Sequence, residues 1–174
     1  MMTSSQSQPS SVTQRGYLGL GSNLTNERGT PKQHIERALA SLSKHEAIAH
    51  VRCSSLYASK PMGPQDQPYF INAVVEIDSS LSPLELLELC QQLEQQANRI
   101  RLRHWGERSL DVDILLYGDE PIQLPSLTVP HPGIYERNFV LIPLLELNPT
   151  LIIQGKPIED LPASQDWSGL KRLS

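Results

Sequence analysis

The chain has 174 residues, enough for one domain with a full hydrophobic core. Its net charge of −4 argues against a broadly basic surface of the kind that holds nucleic acid. No apolar run approaches the ~20 residues of a membrane span, and Cys53 and Cys90 lie far apart without metal-ligand spacing, as in a reducing cytoplasm.

The stretch MMTSSQSQPSSVTQ has neither the basic nor the apolar segment of a secretory signal, and its Ser- and Gln-rich composition predicts a disordered tail over residues 1–14. YLGLGSNL reads as a short strand running into a glycine turn from Gly19 to Leu24. TPKQHIERALASL reads as a helix: Thr30 caps it, Pro31 suits the first helical position, and Gln33 completes a capping box. Ile35, Leu39 and Leu42 share one face of it. VRCSSLYA is a second strand, SKPMGPQDQP a proline-rich loop, and YFINAVVEI a third strand. SPLELLELCQQLEQQANRI is a second helix, capped by Ser82 and Glu85, with Leu86, Cys90, Leu93 and Ala97 as its buried stripe. The charged loop RLRHWGER then leads into a fourth strand within SLDVDILLYG.

The order β-α-β-β-α-β is that of a split βαβ. It predicts an α+β, ferredoxin-like core, with an antiparallel sheet, two helices on one face and a site on the open face. From Pro121 onward, LTVPHPGIYERNFVLIPLLELNP reads as short helical turns and loops in an irregular C-terminal extension. The expected boundaries are one domain over residues 15–160 and a C-terminal tail over 161–174.

Side chains on a strand alternate between faces. Leu110, Val112, Ile114 and Leu116 therefore form one apolar row toward the helices, and Asp111 and Asp113 point to the open face. On the third strand, Phe70, Asn72, Val74 and Glu76 share a row that can meet the aspartates. A solvated sheet face accounts for one aspartate more easily than for two, because like charges side by side destabilise a strand. Mg²⁺, which favours carboxylate oxygens, would offset them. Arg99, Arg101, Arg103 and Arg108, with His104, lie close by in sequence. They either form salt bridges with the acids or hold a shared anion, since guanidinium forks suit phosphate. A polyphosphate held by Mg²⁺ on one side and arginines on the other is the layout of phosphoryl transfer.

Other motifs are weaker. GLGSNL lacks the third glycine of a dinucleotide fingerprint, and no Walker A sequence is present. Trp105, an aromatic in a charged loop, reads either as a lid over a flat ligand or as ordinary packing against the body. His131 lies between two prolines, and Arg137 stands near Phe139.

Taken together, LGSNL, GPQDQPYFINAVV, HWGERSLDVDILLYG, LTVPHP and ERNFVLIPLLEL resemble the 6-hydroxymethyl-7,8-dihydropterin pyrophosphokinase family over about residues 16 to 153. The resemblance implies transfer of diphosphate from ATP to the pterin hydroxymethyl group, with release of AMP, in folate biosynthesis. It implies that Asp111 and Asp113 bind two Mg²⁺ ions and are catalytic together with Arg99 and Arg108. Gln91, Glu94, Arg101, Arg108, Ile114, Thr128 and His131 would hold ATP. Ser59, Met62, Phe70, Asn72, Trp105, Arg137 and Phe139 would hold the pterin, with Phe70 and Phe139 sandwiching its ring. Partners would be these two small molecules only, for a cytoplasmic monomer with no nucleic acid and no membrane.

The sequence departs from the family pattern at His104, Glu107, Lys60 and Ser126, which bears on loop behaviour and ATP contacts and leaves the acidic pair intact. The chemistry needs no protein nucleophile, because the substrate hydroxyl attacks phosphorus and the enzyme aligns and neutralises. Two other readings are a single-stranded nucleic-acid module and a different Mg²⁺-dependent nucleotidyl transferase. The first is opposed by the acidic open face. The product released from ATP separates all three.

Overall fold

The computed structural model describes residues 12–98 and 107–173. In chain order the elements are β1 (Gln14–Ser22), α1 (Pro31–Lys44), β2 (Ile48–Cys53), β3 (Tyr57–Ser59), β4 (Phe70–Ser79), α2 (Pro83–Gln96), β5 (Asp111–Tyr117), β6 (Ile122–Leu124), β7 (Leu127–Val129), α3 (Asn138–Leu147), β8 (Ile152–Ile153), β9 (Lys156–Pro157) and β10 (Leu170–Arg172). Among the described residues no helix is long and apolar enough to cross a membrane.

Both predicted capping boxes are present. Thr30 and Ser82 accept from the backbone N–H groups of Gln33 and Glu85, whose side chains return to the capping residues' own N–H groups at 2.9 Å. These reciprocal bonds satisfy donors that a helix start leaves open. The helix faces are buried as their spacing requires: Ile35, Ala38 and Leu42 on α1, and Leu86, Leu89, Cys90 and Leu93 on α2. α2 ends at Gln96, and Ile100 at the end of the expected helix lies outside the described residues.

The main sheet is antiparallel, in the order β10-β3-β4-β1-β5, with β2 also pairing with β4. The expected second strand is therefore two. It breaks at Ser54, whose N–H donates to Val74 O at 2.8 Å and whose Oγ accepts from Val74 N–H at 3.0 Å. A side chain takes the place of a backbone carbonyl there, and the ladder resumes at Tyr57 in a new register.

Four expectations need correcting. Gly19 and Gly21 do not form a turn: β1 runs through both to Ser22. Leu116 does not continue the helix-facing row. The β1–β5 register shifts between Tyr17 and Leu18, so a bulge hands the helix side from Ile114 to Tyr117 and sends Leu115 to the opposite core. The irregular extension contains a ten-residue helix, α3, despite Pro143 within it. Its apolar side chains Val140, Leu141, Leu144 and Leu147 pack with Tyr17, Val74 and Leu115 on the face away from α1 and α2. Covering that apolar patch outweighs what one proline costs the helix. Residues expected as a C-terminal tail also contribute β10, paired with β3.

One end of that face is closed by a polar knot. Glu76 is 4 % exposed; it accepts from Tyr17 Oη at 2.7 Å, lies 2.9 Å from His50 Nε2, and pairs with Arg15 at 3.3 Å. Burial pushes its pKa up, but the bonds from Tyr17 and His50 and the Arg15 charge outweigh burial and hold it below the ordinary 4.5. A carboxyl depressed in the folded state stabilises fully above the unfolded value and loses that contribution as pH falls through the folded one. Glu76→Gln is expected to cost about 2 kcal/mol near neutral pH. In urea unfolding, the gap from wild type should narrow as pH drops below 4.5. A gap that stays constant through that window would show that the charge contributes nothing.

Candidate active site

The remaining half of this face is a trough. Gly19 and Gly21 of β1 stand between the open-face residues of both neighbouring strands. Gly21 is opposite Asn72 on β4 and Asp111 on β5, and Gly19 is opposite Val74 and Asp113. A side chain at Gly21 would have its Cβ 2.9 Å from Asn72 Oδ1. Glycine inside a strand often marks a close approach to a ligand. A cavity of about 590 Å³ lies over this floor.

Of the residues singled out in the sequence, Ser59, Met62, Phe70, Asn72, Gln91, Glu94, Arg108, Asp111, Asp113, His131, Arg137 and Phe139 all line the cavity. Two do not. Ile114 is buried in the core beneath α2, because its strand position faces the helices, and Thr128 is exposed on β7. Arg99, Arg101, Arg103, His104 and Trp105 lie outside the described residues.

One end of the cavity is aromatic and amide-lined. Asn72 Nδ2 donates to Ser59 Oγ, and both residues are buried. That bond leaves Oδ1 over Gly21. Phe139 is the second residue of α3, with the Arg137 guanidinium 5.8 Å over its ring. The other end is charged. Arg108 Nη1 donates to Asp111 Oδ1 at 3.1 Å, and its buried Nε has no hydrogen-bond partner among the described residues. Glu94 Oε2 accepts from Val112 N–H at 2.9 Å, so α2 takes up a donor on the outer edge of β5. His131 Nδ1 accepts from Gly133 N–H at 3.1 Å, and its Nε2 lies 4.0 Å from Asp113 Oδ2. Burial, helped by the Arg137 charge, pushes the His131 pKa below its ordinary value, against the pull of Asp113. A neutral imidazole with Nδ1 occupied carries its proton on Nε2, facing Asp113.

Sequence reasoning missed one organiser. Asn23 is 3 % exposed and joins three segments. Its N–H donates to Arg108 O at 2.9 Å, its Oδ1 accepts from Arg108 N–H at 2.8 Å, and its Nδ2 donates to Gln67 Oε1 and Pro68 O, both at 2.9 Å. The available signal was an amide directly after an apolar strand. Lys60, noted only as a departure, also lines the cavity.

Asp111 and Asp113 fit Mg²⁺. They are partly exposed, with side chains 28 % and 48 % accessible, and offer hard oxygen donors. Among the described residues no group of three or more His, Cys, Asp or Glu gathers as an enclosing cage.

The family model of 7,8-dihydro-6-hydroxymethylpterin-pyrophosphokinase (HPPK) matches residues 17–149. A Haemophilus influenzae protein named 2-amino-4-hydroxy-6-hydroxymethyldihydropteridine pyrophosphokinase is 47 % identical over 142 residues, covering 82 % of this chain and 86 % of that one. A Bacillus subtilis protein of the same name is 46 % identical over 155 residues, covering 89 % and 87 %. Among solved structures, a Plasmodium falciparum HPPK-DHPS triple mutant with STZ-DHP superposes with a TM-score of 0.68 at 14 % identity. It covers 92 % of this chain, which spans about half (47 %) of that longer one, and shows likeness of fold alone.

The trough can be tested independently of any relative. Gly21→Ala suits the backbone of a strand but crowds Asn72 Oδ1. It is expected to shift the Asn72 side-chain amide resonances while leaving the signals of α1 and α2 in place. Unmoved Asn72 signals would show that the floor has room to spare.

Proposed function

The chain belongs to the 7,8-dihydro-6-hydroxymethylpterin-pyrophosphokinase family and transfers diphosphate from ATP to the hydroxymethyl group of 6-hydroxymethyl-7,8-dihydropterin, releasing AMP, in folate biosynthesis; we propose that the trough over Gly19 and Gly21 is where it does so. The observation that carries this reading is the division of one cavity into an amide-and-aromatic end and an acidic, arginine-bearing end.

Phe70 and Phe139 would flank the pterin ring, and Asn72, fixed by Ser59, would meet its polar edge with Oδ1. Met62 and Arg137 would close that end. Aromatic pairs of this kind add ~1 kcal/mol beyond buried area. Gln91 and Glu94 on α2 and His131 would border the nucleotide. Arg99 and Arg101 would bind phosphate and Trp105 would close over the pterin, all three lying outside the described residues. Ile114 and Thr128, which do not line the cavity, would reach ATP only at its margin, Ile114 through its backbone.

Asp111 and Asp113 would hold two Mg²⁺ ions, which when bound supply positive charge to the triphosphate oxygens. Arg108 lines the cavity beside Asp111 and is placed to add to this; its buried Nε has no acceptor among the described residues. The pterin hydroxymethyl oxygen attacks the β-phosphorus and loses its proton, and the bond from that phosphorus to the AMP oxygen breaks. The chain's residues hold the two reactants in line, and holding rather than covalent chemistry lowers the barrier.

We read the strand order, with α1 and α2 together on one face, as a ferredoxin-like core, and the expected domain over 15–160 takes in the matched stretch 17–149. A monomer working in the cytoplasm is part of the same reading. For the compartment, its support is two free cysteines among the described residues, as a reducing environment leaves them.

Asp111→Asn and Asp113→Asn are each expected to lower turnover at least ~100-fold, as loss of a transition-state charge partner does. Melting temperatures should stay near wild type, because both side chains face the cavity rather than a core. Chromatography of the nucleotide products with Mg²⁺ and pterin reads this out directly, and chelation by EDTA should abolish AMP formation in the wild type. Near-normal AMP release by either variant would remove the acidic pair from the mechanism.

A further inference from the structure

The aromatic end of the cavity is backed by the last part of the chain. β10 pairs with β3 so that Leu170 is opposite Ser59, and Lys60 N–H donates to Gly169 O at 3.1 Å. α3 grips the same segment from its first residue. Asn138 Nδ2 donates to Asp166 O at 2.8 Å and Ser168 O at 3.0 Å. Leu170 is buried with Tyr57 and Ile142, and Phe139 packs against that cluster.

These contacts fall on a helix start without a side-chain cap and on a three-residue strand. Phe139 is the second residue of a helix whose N-cap, Arg137, makes no side-chain capping bond. Helix starts without such bonds fray. Ser59 ends a strand of three residues that would be a bare edge without β10. The C-terminal segment thus braces both residues at once, one by packing and one by strand pairing.

We propose that residues 166–172 are a positioning element for the pterin, holding Phe139 and Ser59 at the separation its ring requires. This rests on the assignment of those two residues to the pterin. The segment touches no reacting atom, and its effect passes through them. A stacking slot is sensitive to such bracing, because dispersion contacts fall away within an ångström of misfit. The acidic end is borne by β5, at the opposite edge of the sheet, so the effect should discriminate between the two substrates.

Calorimetry on full-length Leu170→Ala, Asn138→Ala and Phe139→Ala, with the pterin and a non-hydrolysable ATP analogue titrated separately, tests this. Asn138→Ala deletes two exposed hydrogen bonds and spares the core, so it serves where Leu170→Ala fails to fold. In both positioning variants the pterin Kd is expected to rise on the order of tenfold, with the analogue Kd changed by less than about twofold. Leu170→Met, which refills the volume, should recover most of the loss. Equal weakening of both ligands, or normal pterin affinity in both variants while Phe139→Ala loses it, overturns the positioning role. Normal pterin affinity in Phe139→Ala itself would instead overturn the ring assignment, and this inference with it.

Discussion

The site depends on two missing side chains in the central strand of the sheet. β1 is paired on both sides, so any residue at Gly19 or Gly21 would project between the open-face rows of β4 and β5. At Gly21 even a methyl group would lie 2.9 Å from the Asn72 amide oxygen. Strand glycines forfeit roughly 0.5–1 kcal/mol each relative to alanine. Pairing along both edges of β1 absorbs that loss, and the result is a low floor beneath a cavity that spans three strands.

The same face is used in three ways along its length. At one end Glu76 is buried and satisfied by Tyr17, His50 and Arg15. In the middle, α3 covers Val74 and Leu115. At the other end Asp111 and Asp113 stay partly exposed, where solvent weakens their mutual repulsion. An internal acid with three partners contributes to the fold. The two partly exposed acids also have cationic or polar neighbours, Arg108 at 3.1 Å from Asp111 and His131 at 4.0 Å from Asp113, but they stay open to the cavity.

Asn23 and the C-terminal segment give the site its frame. Asn23 ties the end of β1 to Arg108, which lines the trough, and to the loop at Gln67 and Pro68, so three segments meet at one residue. At the aromatic end, Glu146 on α3 accepts from Tyr57 Oη at 2.6 Å and from Ser55 N–H at 2.8 Å, and Arg172 lies 3.7 Å from it. Groups on short elements are thereby fixed from several directions. Binding and alignment draw on such preorganisation.

Sequence alone determined what local chemistry dictates. Thr30, Gln33, Ser82 and Glu85 specify both main helix starts, since capping is settled within four residues. Alternation on the third and fourth strands placed Phe70, Asn72, Asp111 and Asp113 on one face, because strand periodicity is a property of the backbone. Tertiary structure decided what depends on distant partners. Leu116 left its row because a bulge opposite Tyr17 shifted the register, and α3 formed across Pro143 because an apolar sheet face needed cover. Gly19 and Gly21 became floor rather than turn only once β4 and β5 flanked them. Asn23, Leu170 and Asn138 showed their work only in the fold. Their partners lie tens of residues away in sequence, and a pattern read along the chain carries no signal for a hydrogen bond or contact closed across it.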